Sequence, residues 1–237
     1  MVVLKTSKEL AKMKRAGSIS AQALQVGGAA VRPGVTTGEI DRAVRSFIQS
    51  KGAIPSFLGY GGFPGSACVS VNDEIIHGIP GGRVIQEGDI VSIDVGAIVD
   101  GYHGDNAATF AAGRVSDAAQ KLMDATRESL LAAIAVAKPG ARLGDIGYAV
   151  QSYVEALGYG VVREYVGHGI GRKMHESPEV PNFGAPGHGP RLLRGMTIAV
   201  EPMVNAGGAA VRVMPDGWTV KTQDGSLAAH YENTILI

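Results

Sequence analysis

Two aspartates in one predicted β-hairpin carry the strongest chemical signal in this sequence. Asp94 interrupts an apolar run, and Asp105 lies in a second run that begins after Asp100-Gly101. An Asp-Gly pair between two such runs predicts a two-residue hairpin turn. That turn would pair Gly96 with Asp105, which places Asp94 and Asp105 diagonally adjacent on the same face. Two like charges held this close favour a cation between them, although two solvated aspartates are the alternative from the hairpin alone.

Three further polar residues interrupt apolar or glycine-rich runs: His168, Glu201 and Glu232. Each has an ordinary alternative by itself, as a turn histidine, a strand-end charge and an outward-facing strand residue respectively. Together with the two aspartates they form an oxygen-rich set with one imidazole. That composition suits a pair of divalent ions such as manganese, cobalt or iron, whereas zinc is less favoured by so many carboxylates.

An internal repeat predicts how distant parts of the chain come together. The pattern Pro-Gly-x-x-x-Gly-acidic-Ile begins at Pro33 and again at Pro139, and Asp94 and Glu201 each follow a glycine at the same spacing. This self-similarity indicates two related α/β halves around a pseudo-twofold axis. Since no linker-like stretch separates the halves, we expect one catalytic domain over residues 1–237, with pseudo-repeats at about 1–110 and 111–237.

Four amphipathic segments predict helices. Two of them begin with the capping-box signatures Thr6-x-x-Glu9 and Thr36-x-x-Glu39. We expect the first helix to fray at Gly27-Gly28. The glycine-rich loop at 53–66 lacks the Gly-Lys-Ser/Thr that ends a phosphate-binding loop, so the sequence disfavours a nucleotide site.

The composition argues against several classes of protein. Lysine plus arginine equals aspartate plus glutamate, giving a formal net charge of zero, so no specific nucleic-acid or membrane binding is indicated. No stretch approaches the about 18 apolar residues of a membrane span. The single cysteine, Cys68, excludes an internal disulfide and fits a reducing compartment. Because the sequence has no secretory signal, we expect a cytoplasmic protein. A monomer is the default expectation for its oligomeric state.

Longer motifs resemble the type I methionine aminopeptidases from about residue 4 to the end of the chain. The motifs are Asn72-Asp73-Glu74-x-x-His77-Gly78-Ile79-Pro80, Gly167-His168-Gly169-Ile170-Gly171, His175-Glu176-x-Pro178, Glu201-Pro202-Met203, Asp216-Gly217-Trp218-Thr219 and Tyr231-Glu232-Asn233-Thr234-Ile235. The resemblance implies the pita-bread (creatinase/aminopeptidase) α/β fold, an internally duplicated domain in which helices cover curved antiparallel sheets. This implication agrees with the repeat.

The resemblance also implies a dinuclear metal centre. Its ligands would be Asp94, Asp105, His168, Glu201 and Glu232. Asp105 and Glu232 would bridge two divalent ions of cobalt, manganese, iron or zinc. A water or hydroxide between the ions would be the nucleophile, and Glu201 would shuttle its proton. His77 and His175 would be the histidines beside the substrate that do not bind metal.

The implied substrate is the initiator methionine of nascent proteins whose second residue is small. By resemblance, the apolar slot for the methionine side chain is formed by Tyr60, Phe63, Cys68, Met174 and Trp218. For Cys68, the alternative is a small buried hydrophobic residue. Four departures from the commonest family pattern bear on pocket shape, namely Met174, Phe57, Gly61 and Asn106. A transient association with the ribosome stays open.

Two alternatives share the same fold. The first is an Xaa-Pro aminopeptidase, but those enzymes usually carry an additional N-terminal domain, and this sequence has almost nothing before its first predicted helix. The second is a binding protein without catalytic activity. It would be expected to lack metal ligands, whereas all the implied ligands are present here.

Overall fold

The computed structural model describes residues 2–237, which form four α-helices and fourteen β-strands. The helices are α1 (Ser7–Ala30), α2 (Thr37–Ser50), α3 (Asp117–Val136) and α4 (Leu143–Glu155). The strands are β1 (Ile54–Pro55), β2 (Ala67–Val71), β3 (Glu74–Ile76), β4 (Ile90–Val99), β5 (Tyr102–Ala111), β6 (Gly160–Val161), β7 (Gly167–Gly169), β8 (Glu176–Val180), β9 (Thr197–Val200), β10 (Met203–Asn205), β11 (Val211–Val213), β12 (Val220–Thr222), β13 (Ala228–His230) and β14 (Glu232–Leu236). Within residues 2–237, no helix combines the length and the apolar character needed to cross a bilayer.

The strands form one large antiparallel sheet and two small ones. The large sheet has the order β1-β4-β5-β14-β9-β7-β8, with β2 also paired to β4. The small sheets have the orders β13-β10-β6 and β11-β12-β3. The expected fold class, helices on antiparallel sheets, is confirmed.

The β4–β5 hairpin has the predicted turn and register. Asp100 and Gly101 both have positive φ angles, 50° and 77°, as a tight two-residue hairpin turn requires. Val99 pairs with Tyr102, and Gly96 lies opposite Asp105. The two aspartates therefore project from the same face of the sheet, as the sequence predicts.

Side-chain alternation gives this hairpin an apolar face and a polar face. Val91, Ile93 and Val95 are buried in a core cluster with residues of α1 and α2. Ser92 and Asp94 point the other way, and Ser92 Oγ lies 2.8 Å from Thr109 Oγ1. Helix packing on one face thus leaves the opposite face free for polar side chains.

Helix α1 continues past the glycines where it was expected to fray, and ends at Ala30. The reason is packing against the sheet, since a Cβ atom on Gly28 would overlap the ring of Phe110 on β5. Gly27 similarly lies against Val44 and Ile93. These glycines let the helix approach the sheet closely, so they mark a contact and not a helix end.

The predicted internal repeat has a counterpart in backbone hydrogen bonds. The N–H of Gly34 donates to the carbonyl of Ile85 at 2.9 Å, and the N–H of Gly140 donates to the carbonyl of Leu192 at 2.9 Å. Isolated β-bridges also recur, between Thr36 and Val84 and between Arg142 and Arg191. These bonds support two related halves, while the boundary near residue 110 stays a prediction.

The close approach of α1 to β5 gives a test by paired substitutions. A Cβ atom on Gly104 would overlap the backbone of Gly17, whereas a Cβ atom on Gly17 would meet nothing within 4 Å. Gly104→Ala should therefore lower the free energy of unfolding by about 1–3 kcal/mol. Gly17→Ala should raise it by about 0.5–1 kcal/mol, because alanine is favoured inside a helix. Denaturant titration checks both values, and an unchanged midpoint for Gly104→Ala would contradict the described packing.

Candidate metal centre and adjoining pocket

One rung across the large sheet aligns the acidic residues. Asp94 pairs with Ala107, and Ala107 pairs in turn with Glu232 on β14. Asn233 pairs with Val200, so the same register continued past the end of β9 brings Glu201 opposite Glu232. Asp105 lies two residues from Ala107 on the same face. Carboxylates from four chain segments therefore converge on one point.

His168 is brought beside these carboxylates by its two flanking glycines. A Cβ atom on Gly167 would overlap the carbonyl of Ala199, and one on Gly169 would overlap the carbonyl of Ser177. The His168 ring donates from Nδ1 to the Gly169 carbonyl at 2.9 Å, so Nε2 keeps its lone pair. Nε2 lies 3.6 Å from Glu201 Oε1. The arrangement presents a neutral imidazole nitrogen to the acidic cluster.

Burial makes these acidic residues hard to ionise on their own. It raises the pKa of Asp94 to about 7. Burial, followed by the neighbouring carboxylates, raises the pKa of Asp105, Glu201 and Glu232 well above the usual range. Burial also lowers the pKa of His168 to about 4, so its ring is neutral at neutral pH. Within residues 2–237, the cluster thus has no positive side chain to balance its charge.

Several polar atoms of the cluster have no hydrogen-bond partner within residues 2–237. The buried atoms without one include Asp94 Oδ1, Asp105 Oδ1, Glu232 Oε1 and the ring atom His230 Nε2. The donor atoms form two sets of three, and within each set all three atoms lie within 4.8 Å of one another. One set comes from Asp105, His168 and Glu232, and the other comes from Glu201, His230 and Glu232. Buried carboxylates without partners are stabilised by metal ions, so the residues present fit divalent cations.

An apolar pocket adjoins the carboxylates. Phe63, Cys68 and Met174 are buried together, and Trp218 packs edge-on against Phe63 with ring centroids 5.1 Å apart. Trp218 is held by Asp216, whose carboxylate accepts from the backbone N–H groups of Trp218 and Thr219, each at 2.9 Å. Burial raises the pKa of the Cys68 thiol, so the cysteine is a neutral wall residue.

Two further histidines line the same cavity. His77 has a positive φ of 58°, an uncommon conformation that turns its ring toward the edges of Tyr165 and Trp218. Burial lowers the pKa of His77 to about 4. His175 is exposed, its Nδ1 lies 2.7 Å from Tyr60 Oη, and its ring packs edge-on against His168. Both histidines thus line the cavity that contains the acidic cluster and the apolar pocket.

Every side chain predicted for the site lines this one cavity. The predicted lining residues are Tyr60, Phe63, Cys68, His77, Asp94, Asp105, His168, Met174, His175, Glu201, Trp218 and Glu232. Phe57 also lines the cavity, and Gly61 lies against Trp218. Asn106 points away from it, donating from Nδ2 to Ser20 Oγ on α1 at 2.9 Å.

Sequence reasoning missed two residues of the site. Tyr165 lines the cavity, and its place just before the glycine-rich run around His168 was the available signal. The family resemblance gives His230 no role, but the side chain is 1 % exposed and faces the carboxylates of Glu201 and Glu232. Its position two residues before Glu232 was the available signal, because alternate residues of an extended chain share a face.

Comparison with protein families decides which family this chain belongs to. The model of metallopeptidase family M24 matches residues 11–237. The chain belongs to metallopeptidase family M24. This M24 chain is 54 % identical to a methionine aminopeptidase of Clostridium acetobutylicum, over 100 % of this chain and 95 % of that protein. It is 52 % identical to methionine aminopeptidase 1 of Bacillus subtilis, over 100 % of this chain and 96 % of that protein.

Solved structures agree with this assignment. A methionine aminopeptidase from Thermotoga maritima superposes with a TM-score of 0.99 at 47 % identity, covering 100 % of this chain and 96 % of that one. A prolidase from Pyrococcus furiosus has a TM-score of 0.78 at 23 % identity, covering 99 % of this chain and 62 % of that one. The second likeness shows the fold alone.

Metal removal should destabilise the chain more at high pH than at low pH. The raised pKa values mean that the folded, metal-free chain holds carboxyl protons which the unfolded chain releases above about pH 4. Stability of the metal-free form therefore falls as pH rises through about 7. Bound cations balance the ionised carboxylates, so they remove this loss of stability at high pH. Between pH 5.5 and pH 8, we expect the melting-temperature gap between metal-loaded and metal-free protein to widen by roughly 4 °C or more.

Differential scanning calorimetry in excess divalent metal or excess chelator measures this gap. Comparing the two forms at each pH cancels groups that titrate equally in both. A gap that stays constant or narrows with rising pH would contradict a carboxylate cluster that needs a cation.

Proposed function

We propose that this M24 chain removes the initiator methionine from proteins whose second residue is small, using two divalent metal ions. One observation carries the proposal: a metal-fitting carboxylate cluster and an apolar pocket share a single cavity. The carboxylate cluster would hold the metal ions that promote hydrolysis, and the pocket would bind an unbranched apolar side chain. The high identity with methionine aminopeptidases over nearly their whole length supports this substrate.

The proposed ligands are the residues that interrupt apolar or glycine-rich runs in the sequence. They are Asp94, Asp105, His168, Glu201 and Glu232. Glu232 belongs to both sets of donor atoms, which supports its role as a bridge. The chemistry that two divalent ions supply is acidification of a water molecule and polarisation of the scissile carbonyl. Cobalt, manganese, iron and zinc all suit this donor set, and cellular supply selects among them.

Glu201 is the proposed proton carrier. It lies at the edge of the cluster, with Oε1 toward His168 and Oε2 toward His230, both at more than hydrogen-bond distance. As a carboxylate beside the proposed ions, it is placed to accept a proton from the attacking water. The same group then donates that proton to the leaving amine of the second residue.

His175 and His77 are proposed to contact the peptide. If Tyr60 Oη donates to His175 Nδ1, the ring proton stays on Nε2, which can then donate to the oxyanion that develops on the scissile carbonyl. His77 is neutral at neutral pH, so it can hold the peptide amide without adding charge. Both contacts orient the substrate for attack.

The cellular setting completes the proposal. Because nascent chains begin with methionine, we place the enzyme in the cytoplasm. We expect it to be a monomer. A transient ribosome association stays a prediction. The alternative, cleavage before proline, is supported by the fold alone, because the likeness to the prolidase is at 23 % identity.

Asp105→Asn should abolish methionine release while the fold is kept, because the amide cannot supply a negative charge to the cluster. Release from Met-Ala-Ser is assayed after chelation and reloading with Mn²⁺ or Co²⁺. The matched control is Asp100→Asn on the same hairpin, since Asp100 is exposed and asparagine tolerates its positive φ. Activity of Asp105→Asn equal to the control at full metal loading would overturn the proposal.

Phe63→Ala should widen the methionine slot. Because Phe63 is 3 % exposed and lines the pocket, its loss removes contacts with the substrate side chain. We expect kcat/KM for Met-Ala-Ser to fall at least about tenfold, with less discrimination against Leu-Ala-Ser. The control is Phe183→Ala, whose ring contacts Arg163 away from the cavity. Equal losses in both variants would indicate a general packing defect and would remove Phe63 from the slot.

A further inference from the structure

His230 has a buried ring nitrogen with no partner inside the described protein. The side chain is 1 % exposed, and Nε2 lacks any hydrogen bond within residues 2–237. Leaving such a polar atom unpaired costs stability, so buried nitrogens of this kind are normally satisfied. An imidazole nitrogen with a free lone pair is also a common metal donor.

The nitrogen is aimed at two carboxylates that it does not hydrogen-bond. Nε2 lies 3.7 Å from Glu201 Oε2 and 3.9 Å from Glu232 Oε2. Both distances exceed the range of an N–H···O bond. Two donor atoms that are each about 2.1 Å from one ion are separated by about 3–4 Å. The spacing is therefore that of atoms sharing a cation.

Glu201 stands between two imidazoles. Its Oε1 is 3.6 Å from His168 Nε2, and its Oε2 faces His230. The donor atoms also divide into two sets, one with His168 and one with His230, and Glu232 contributes to both. Each set thus contains one histidine.

The backbone holds His230 in this position. Its N–H donates to Thr109 Oγ1 at 3.0 Å, and the same hydroxyl donates to the His230 carbonyl at 3.0 Å. His230 also pairs with Met203 across β13 and β10. Thr109 lies on the hairpin that carries Asp94, so the histidine and the aspartate are fixed to one framework.

We propose that His230 is an additional metal ligand of this chain, binding a divalent cation through Nε2 together with Glu201 and Glu232. The inference rests on the proposed function for the presence of the metal, but it adds a donor that the family resemblance does not assign. A second imidazole changes the character of the centre. It favours cobalt, iron and zinc over the harder ions magnesium and calcium.

X-ray absorption at the cobalt edge tests the proposal on the intact chain loaded with two equivalents of Co²⁺. Imidazole rings give characteristic outer-shell scattering, so the number of histidine ligands can be counted. We expect two imidazoles for two cobalt ions in the wild-type protein and one in His230→Gln. The Co²⁺ dissociation constant should also rise at least about tenfold in that variant.

The matched control is His103→Gln. His103 is also buried, but its Nδ1 lies 3.0 Å from Ser56 Oγ and is separate from the carboxylate cluster. This variant should keep two imidazoles. Because a wild-type count of one imidazole overturns the proposal by itself, the proposal stays falsifiable even if His230→Gln does not fold.

A single imidazole in the cobalt-loaded wild type would overturn the proposal, whatever the activity of His230→Gln. Release of methionine from Met-Ala-Ser is measured on the same samples. An active wild type with one imidazole removes His230 from the ligand set and leaves the proposed function intact. Two imidazoles without methionine release would support the ligand and contradict the proposed function.

Discussion

The structure depends on one electrostatic constraint: four carboxylates lie together in a buried cluster, and the described residues 2–237 provide no positive side chain to balance them. Burial and mutual repulsion raise the pKa values of these groups, and several of their oxygens have no partner within residues 2–237. Such a cluster is costly for a folded chain by itself. The cost is removed when divalent cations bind, so folding, metal binding and catalysis depend on the same atoms.

The scaffold meets this constraint by separating its two faces. Helices α1 and α2 bury the apolar face of the β4–β5 hairpin, and close approach at Gly104 and Gly28 lets α1 lie directly on the strand. The opposite face then carries Asp94, Glu232 and Glu201 along one rung of the sheet, with Asp105 two residues from that rung. The hydrogen bonds of Gly34 and Gly140 recur at matching positions of the two predicted repeats, which supports a common backbone arrangement. Two related halves thus each bring acidic residues to a shared cavity.

Local rules predicted part of this arrangement. The hairpin register followed from the Asp100-Gly101 turn, because turn geometry and strand alternation are set by neighbouring residues. Tertiary contacts could not be predicted from local sequence patterns. The sequence predicts a helix end near Gly28, because no local pattern indicates that the Phe110 ring packs against this glycine. His230 was missed because its burial depends on pairing with Met203 and on Thr109, residues that are distant in sequence. The metal ligands were predicted as a set from the internal repeat and the family resemblance, because the residue spacing alone left an ordinary alternative for each residue.

Proton release on metal binding tests the central claim most directly. Chelated protein is titrated calorimetrically with Co²⁺ at pH 6.5 in buffers of different ionisation enthalpy, which yields the number of protons displaced per chain. The account predicts that more than one proton leaves as the metal ions bind, because the buried carboxyl groups of the folded, metal-free chain hold protons that a cation displaces. Metal binding without proton release, or no binding at all, would contradict it.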